Sequence, residues 1–115
     1  MKADEMIDKI VLERLQMLMK DKFPDALQIA IRNTSNYITA VGTHIDAAQW
    51  DEARAMAHKI ASSAGSFGLL EVVNAARKIE YQDGADIGND LYRDLRDEFA
   101  VSVTELNDFI QAGQA

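Results

Sequence analysis

Apolar residues recur every three or four positions along nearly the whole chain. Against that pattern stands a single proline, Pro24, and no run alternates polar with β-branched residues. The period of three to four dictates amphipathic helices, and the missing alternation leaves no expected strand. Long stretches rich in Ala, Leu, Glu, Arg and Gln carry the same preference in their intrinsic propensity. A first, short helix is expected over about 4–19, with Ile7, Ile10, Val11, Leu15 and Leu18 on its apolar side. Lys20–Phe23 interrupts it. Pro24 suits the first turn of a second helix, where a missing N–H costs nothing. That helix has Phe23, Leu27, Ala30, Thr34, Tyr37, Ile38, Val41 and Ile45 on one stripe and is expected to end near Gly42–Asp46. A third runs from about Trp50 to Phe67, with Asp51 and Glu52 favourably placed at its positive end. Gly68 separates it from a fourth, whose stripe is Leu69, Val72, Val73, Ala76 and Ile79. Asp83-Gly84 marks a turn, and a fifth helix carries Leu91, Leu95, Phe99, Val103, Leu106 and Ile110. The expected fold class is all-α: an antiparallel up-down four-helix bundle with a short N-terminal cap helix. Its four main helices should be about 20–35 Å long at about 1.5 Å per residue.

Composition narrows the function classes. The 115 residues suit one domain, and 48% hydrophobic residues suffice for a core. Twelve basic and nineteen acidic residues leave a net charge of −7. Nucleic acid and anionic membrane both select for Lys/Arg patches, so neither is expected as a partner. With no cysteine, disulfides, thiol nucleophiles, iron–sulfur clusters and cysteine zinc sites are excluded. No window reaches the roughly 18–20 apolar residues of a membrane span. The N-terminal MKADEMIDKI lacks the apolar segment of a signal peptide, so a soluble, cytoplasmic domain starting at Met1 is expected.

The third helix is the unusual one. At 100° per residue, Ala53, Met56, Ala57, Ile60, Ser63, Ala64 and Phe67 cluster on one side as its buried face. His58 points the opposite way, with Asp51, Arg54, Ala61, Ser62 and Gly65 as expected outer-face neighbours. Helical side chains lean towards the N-terminus, so residues 61, 62 and 65 are the ones leaning over the imidazole. All three are small. A mid-helix glycine costs about 1 kcal/mol relative to Ala, which solubility alone does not explain. The pattern describes an imidazole standing clear on levelled ground, accessible to a partner protein.

The order of residues sharpens this reading. Ala57-His58-Lys59-Ile60-Ala61-Ser62-Ser63-Ala64-Gly65-Ser66-Phe67-Gly68-Leu69 resembles the signature of histidine-containing phosphotransfer (HPt) domains of two-component phosphorelays. Ala57, His58, Ile60, Ser63, Gly65 and Gly68 match. Trp50 at the helix start and Lys78-Ile79-Glu80 at the end of the next helix match as well. The resemblance extends over residues 1–115 as one domain. It implies a phosphoacceptor, His58, that takes a phosphoryl group from a receiver-domain aspartate and passes it to another. The implied partners are the receiver domain of a hybrid sensor kinase and that of a response regulator. The implied module is a monomeric phosphocarrier without kinase activity or a cofactor of its own, Mg²⁺ being supplied by the receiver. Arg54, Ala55, Lys59, Ala61, Ser62, Gly65 and Ser66 form the expected supporting and docking surface, with part of the second helix.

Two positions depart from the family pattern. It places Lys three residues after the histidine, where this chain has Ala61, and Gly four after, where it has Ser62. A phosphoryl group brings nearly two negative charges to an acidic protein, so loss of the Lys matters more. Arg54, on the same side but one turn before His58 and leaning away, is an imperfect substitute, as is Lys59, well round the helix from it. A lysine at position 61 is expected to lean back over His58. The missing Lys also keeps open a second reading, an adaptor that binds and sequesters a receiver without carrying phosphate. His44 is expected to be a helix-end residue. Glu71 and Glu80 are two carboxylates that nothing in the sequence places in a cleft.

Overall fold

In a computed structural model, residues 7–83 and 87–114 are described, with side chains to 112. Five helices follow one another: α1 (Lys9–Met19), α2 (Phe23–Asp46), α3 (Trp50–Ser66), α4 (Leu70–Glu80) and α5 (Asn89–Gln114). A turn of 3₁₀ helix, Lys20–Lys22, joins α1 to α2. Helices α2 to α5 pack as a ring of antiparallel neighbours, with α3 held between α2 and α4. This is the expected all-α, up-down four-helix bundle, with α1 as its N-terminal cap. No strand occurs among the described residues beyond an isolated bridge from Ile7 to Leu69.

Local chemistry sets the boundaries. Asp8 caps α1, its carboxylate accepting from the backbone N–H groups of Ile10 and Val11. The first helix is therefore shorter than the expected 4–19, of which residues 4–6 lie outside the described part. Its buried side chain is Leu12, while Ile10 and Leu18, expected on the apolar stripe, are 67% and 75% exposed. The helix is covered along only a narrow line, so periodicity alone gave it too wide an apolar face. Pro24 sits in the first turn of α2 as expected. That helix runs through Gly42, whose missing side chain makes room for α5: a Cβ there would lie 2.6 Å from the Tyr92 hydroxyl.

The α3–α4 corner fixes the site. Gly68 has φ +71°, a conformation that side chains resist, and a Cβ would come within 3.0 Å of the Asp8 backbone. Asp8 N–H donates to the Gly68 carbonyl at 2.7 Å, so the segment before α1 fastens this corner. Fully buried Ala53, Ala57, Ile60, Val72, Ala76 and Ile79 fill the space between α3 and its neighbours. The alanines let the two antiparallel helices lie close together up to the corner. At 11 residues α4 is shorter than the expected main helices, and it ends at Glu80, opposite the middle of α3.

Candidate functional site

The two arms of a tight helical hairpin bring residues at similar distances from the turn to the same level. His58 lies ten residues before Gly68 and Glu80 twelve after it. Their side chains meet: Nδ1 of His58 is 2.6 Å from Oε2 of Glu80. The imidazole is 59% exposed and the carboxylate 14%. The other carboxylate oxygen, Oε1, accepts from the Arg77 guanidinium at 2.8 Å, one turn back along α4.

Electrostatics assigns the protons. Burial pushes the Glu80 carboxyl up, but hydrogen bonds from His58 and Arg77 outweigh that and hold it below the usual carboxylate range. The hydrogen bond to Glu80 likewise raises the Arg77 guanidinium above its ordinary value. An ionised carboxylate can only accept, so the proton in the short contact belongs to Nδ1 of His58. In the neutral ring, Nε2 then carries the lone pair, on the exposed side of the bundle.

The surroundings divide between two neighbouring helices. On the α2 side, Asn33, Tyr37, Lys59, Ser62, Ser63 and Ser66 line an open depression with His58. On the α4 side, Arg54, Glu80, Tyr81, Gln82 and Asp83 line another. Ala55, Lys59, Ser62, Gly65 and Ser66 are exposed on α3, so the surface around the ring is built of small or flexible groups. Gly65 faces α4, where a Cβ would make ordinary contact with Val73 at 3.7 Å.

Two sequence expectations need correction. Ala61, expected beside the imidazole on the outer face, is only 2% exposed. Helix α3 is covered on two sides, by α2 and by α4, so its buried arc is wider than a one-sided helix would have. Ala61 therefore belongs to the packing with Ala57 and Ala64 and offers no docking surface. Arg54, expected as a substitute cation, is turned to the end of α4: its Nε donates to the Gln82 carbonyl at 3.0 Å, and it pairs with Asp51 at 3.1 Å. The residue sequence reasoning missed is Glu80, present in the matched Lys78-Ile79-Glu80 but with no role given to it. Its similar spacing across the Gly68 turn, twelve residues after against ten before, is the signal that locates it. His44 is a helix-end residue, as expected, its Nδ1 2.8 Å from Gln49 Oε1.

The model of the family described as "Hpt domain" matches residues 25–112, which hold nearly all of α2 through α5 and both partners of the His58–Glu80 contact. The chain belongs to the Hpt domain family. It is thereby one of the histidine phosphotransfer modules of two-component phosphorelays. Similar in structure to this Hpt domain is histidine-containing phosphotransfer protein B (HptB) from Pseudomonas aeruginosa. The TM-score is 0.84 at 19% identity, covering 96% of this chain and 98% of that one. At that identity the likeness speaks for the bundle fold. No curated protein matches the chain in sequence.

Proposed function

We propose that this Hpt domain relays a phosphoryl group between receiver-domain aspartates through Nε2 of His58. The observation that carries the proposal is the 2.6 Å contact of Nδ1 with Glu80 on a ring that is 59% exposed. One nitrogen is occupied within the bundle, and the other remains for the partner. The lone pair of Nε2 attacks the phosphorus of an aspartyl phosphate. The P–O bond breaks, and the aspartate leaves with the electron pair as a carboxylate. The phosphorylated ring keeps its proton on Nδ1 and carries a positive charge, which the Glu80 carboxylate faces. Transfer onward reverses these steps. The next aspartate attacks phosphorus, the N–P bond breaks, and the imidazole leaves neutral because Nδ1 still holds its proton. Glu80 thus serves both directions.

The partner contributes the rest. Mg²⁺ and the acidic pocket belong to the receiver, and the bundle supplies rigid presentation of His58. Lys59, Ser62, Ser66 and the α2 residues Asn33 and Tyr37 form the surface on which the receiver docks. Transient signalling contacts of this kind need only a small interface. Exposed Ser62, in place of the family's Gly, can donate one hydrogen bond to a phosphoryl oxygen.

Incubation with a receiver domain carrying radiolabelled aspartyl phosphate tests the proposal. Label should pass to this chain in an acid-labile, base-stable form. His58→Gln should abolish it with the fold intact, and His44→Gln should leave it unchanged. Label persisting in His58→Gln overturns the assignment. A stable complex that never takes label favours the adaptor reading, which the Ala61 departure motivates.

A further inference from the structure

The Arg77–Glu80–His58 chain poses a question of charge. A carboxylate with little exposure beside an imidazole draws a proton onto it, and an imidazolium has no lone pair with which to attack phosphorus. A site that keeps Glu80 as acceptor for Nδ1 must therefore weaken its pull on a second proton. We propose that Arg77 is the positioning residue that does this: by binding Oε1 of Glu80 it fixes the carboxylate and offsets its charge, so that Oε2 holds Nδ1 of His58 in one orientation. The inference rests on the phosphotransfer reading above.

The geometry is specific to α4. Arg77 and Glu80 are three residues apart on one helix, which places their side chains side by side. The guanidinium is also held from behind, its NH1 3.4 Å from the Tyr81 hydroxyl and its carbon 5.9 Å from the centre of the Tyr81 ring. Its planar fork therefore approaches Glu80 from a fixed side. Among the described residues, four further charged or titratable groups line the depressions beside the pair. Arg54 from α3 and Asp83 beyond α4 share a depression with Glu80 and Tyr81. Lys59 and Tyr37 line the depression on the far side of His58. Arg54 is engaged with the Gln82 carbonyl and Asp51, and Arg77 bonds Oε1 of Glu80. The family pattern puts a positive charge on α3 at the position of Ala61. Here that position is buried, and the charge stands on α4 instead.

Arg77→Ala and Arg77→Lys separate positioning from mere support of the fold. Phosphoramidate is a suitable probe, because it needs no partner: Nε2 bonds to phosphorus, the P–N bond breaks, and the amine leaves as ammonia with a proton from solvent. Acceptance is measured from pH 5 to 9 as the ratio of variant to wild type at each pH, with the protonation of the His58 ring followed by nitrogen NMR. Arg77→Ala should move the midpoint of the pH–rate curve up by about one unit, a tenfold change in proton affinity. It should lower acceptance several-fold at pH 7 and recover near pH 9, with more of the ring in the imidazolium form at neutral pH. Arg77→Lys should restore most of the profile. An unmoved midpoint in a folded Arg77→Ala overturns the inference, as does a loss equal at every pH. Label on His58→Gln in the same assay would instead remove the phosphotransfer reading, so the two failures are distinct.

Discussion

Helix α4 carries a partly buried carboxylate at each end. At its last turn Glu80 lies between Arg77 and the imidazole of His58, and its charge is matched on both sides. At its first turn Glu71 faces Glu98 of α5, with Asp94 and Asp97 nearby and Lys78 as the opposing charge. Burial pushes the Glu98 carboxyl up, and the neighbouring carboxylates push it further, while the Glu80 carboxyl is held down. The two ends show the same residue type put to opposite uses. Where a cation and a hydrogen-bond donor converge, the carboxylate becomes a fixed acceptor. Where acids outnumber the one opposing lysine, it costs stability and holds nothing in place.

The largest test of that contrast is removal of the matched carboxylate. Glu80→Ala should lower phosphoryl acceptance from phosphoramidate by about 100-fold, or about 2.7 kcal/mol in the barrier. The loss should persist at alkaline pH, unlike that of Arg77→Ala, because the ring has lost its orienting partner. Glu80→Gln keeps an acceptor oxygen for Nδ1 and should fall in between. Acceptance at the wild-type rate in Glu80→Ala would mean that the 2.6 Å contact is incidental.

The next asks whether α3 could supply the cation in place of α4. The sequence suggests that Ala61→Lys should help, since a lysine there leans back over His58. The structure gives the opposite expectation. Ala61 is buried against its neighbours, and a long side chain has to displace packed atoms before its ammonium reaches water. Overpacking of this kind costs about 1–3 kcal/mol. Chemical denaturation should show that loss, and phosphohistidine lifetime should not lengthen. A folded variant of wild-type stability with longer-lived label would restore the outer-face placement of residue 61.

Residue 61 shows where sequence reading reached its limit. Periodicity identified the four bundle helices, because buried stripes such as Phe23, Leu27, Thr34, Ile38, Val41 and Ile45 repeat cleanly on α2. It also placed His58 outside, opposite Ala53, Ala57 and Ile60. It could not say how many sides of α3 are covered, since that depends on which helices flank it in space. Hence periodicity sets Ala61 on the open side, where the structure buries it. Nor does periodicity join residues on different helices. Glu80 and His58 become partners only through the α3–α4 corner, which a positive φ at Gly68 and the Asp8 backbone fasten together. On α1, Leu12 is buried while Ile10, Met17 and Leu18 stand in solvent, because a cap helix is covered along one line only.

The smallest test concerns the unmatched end of α4. Glu71 is the poorer target, because an acid in the first turn of a helix also gains from the helix dipole, about 0.3–1 kcal/mol, which offsets its repulsion with Glu98. Glu98 stands in the middle of α5, so the dipole of its own helix offers it no such gain. Its carboxyl titrates above the unfolded value, so the folded state binds the proton more tightly. Stability from this group is therefore greatest below the ordinary carboxylate range and declines as pH rises through the raised folded value. At pH 7 the ionised group is a net cost. Glu98→Gln removes that charge and keeps a similar shape, so it should stabilise the domain by about 0.5 kcal/mol at pH 7. The difference should vanish below about pH 4, where wild-type Glu98 is protonated as well. Phosphoryl acceptance should not change, since α5 holds none of the groups around His58. Thermal melts of both proteins across this range decide the matter. A variant less stable than wild type at pH 7, or a gap that grows as pH falls, would mean that Glu98 is matched by charges of its own and that the two ends of α4 are alike.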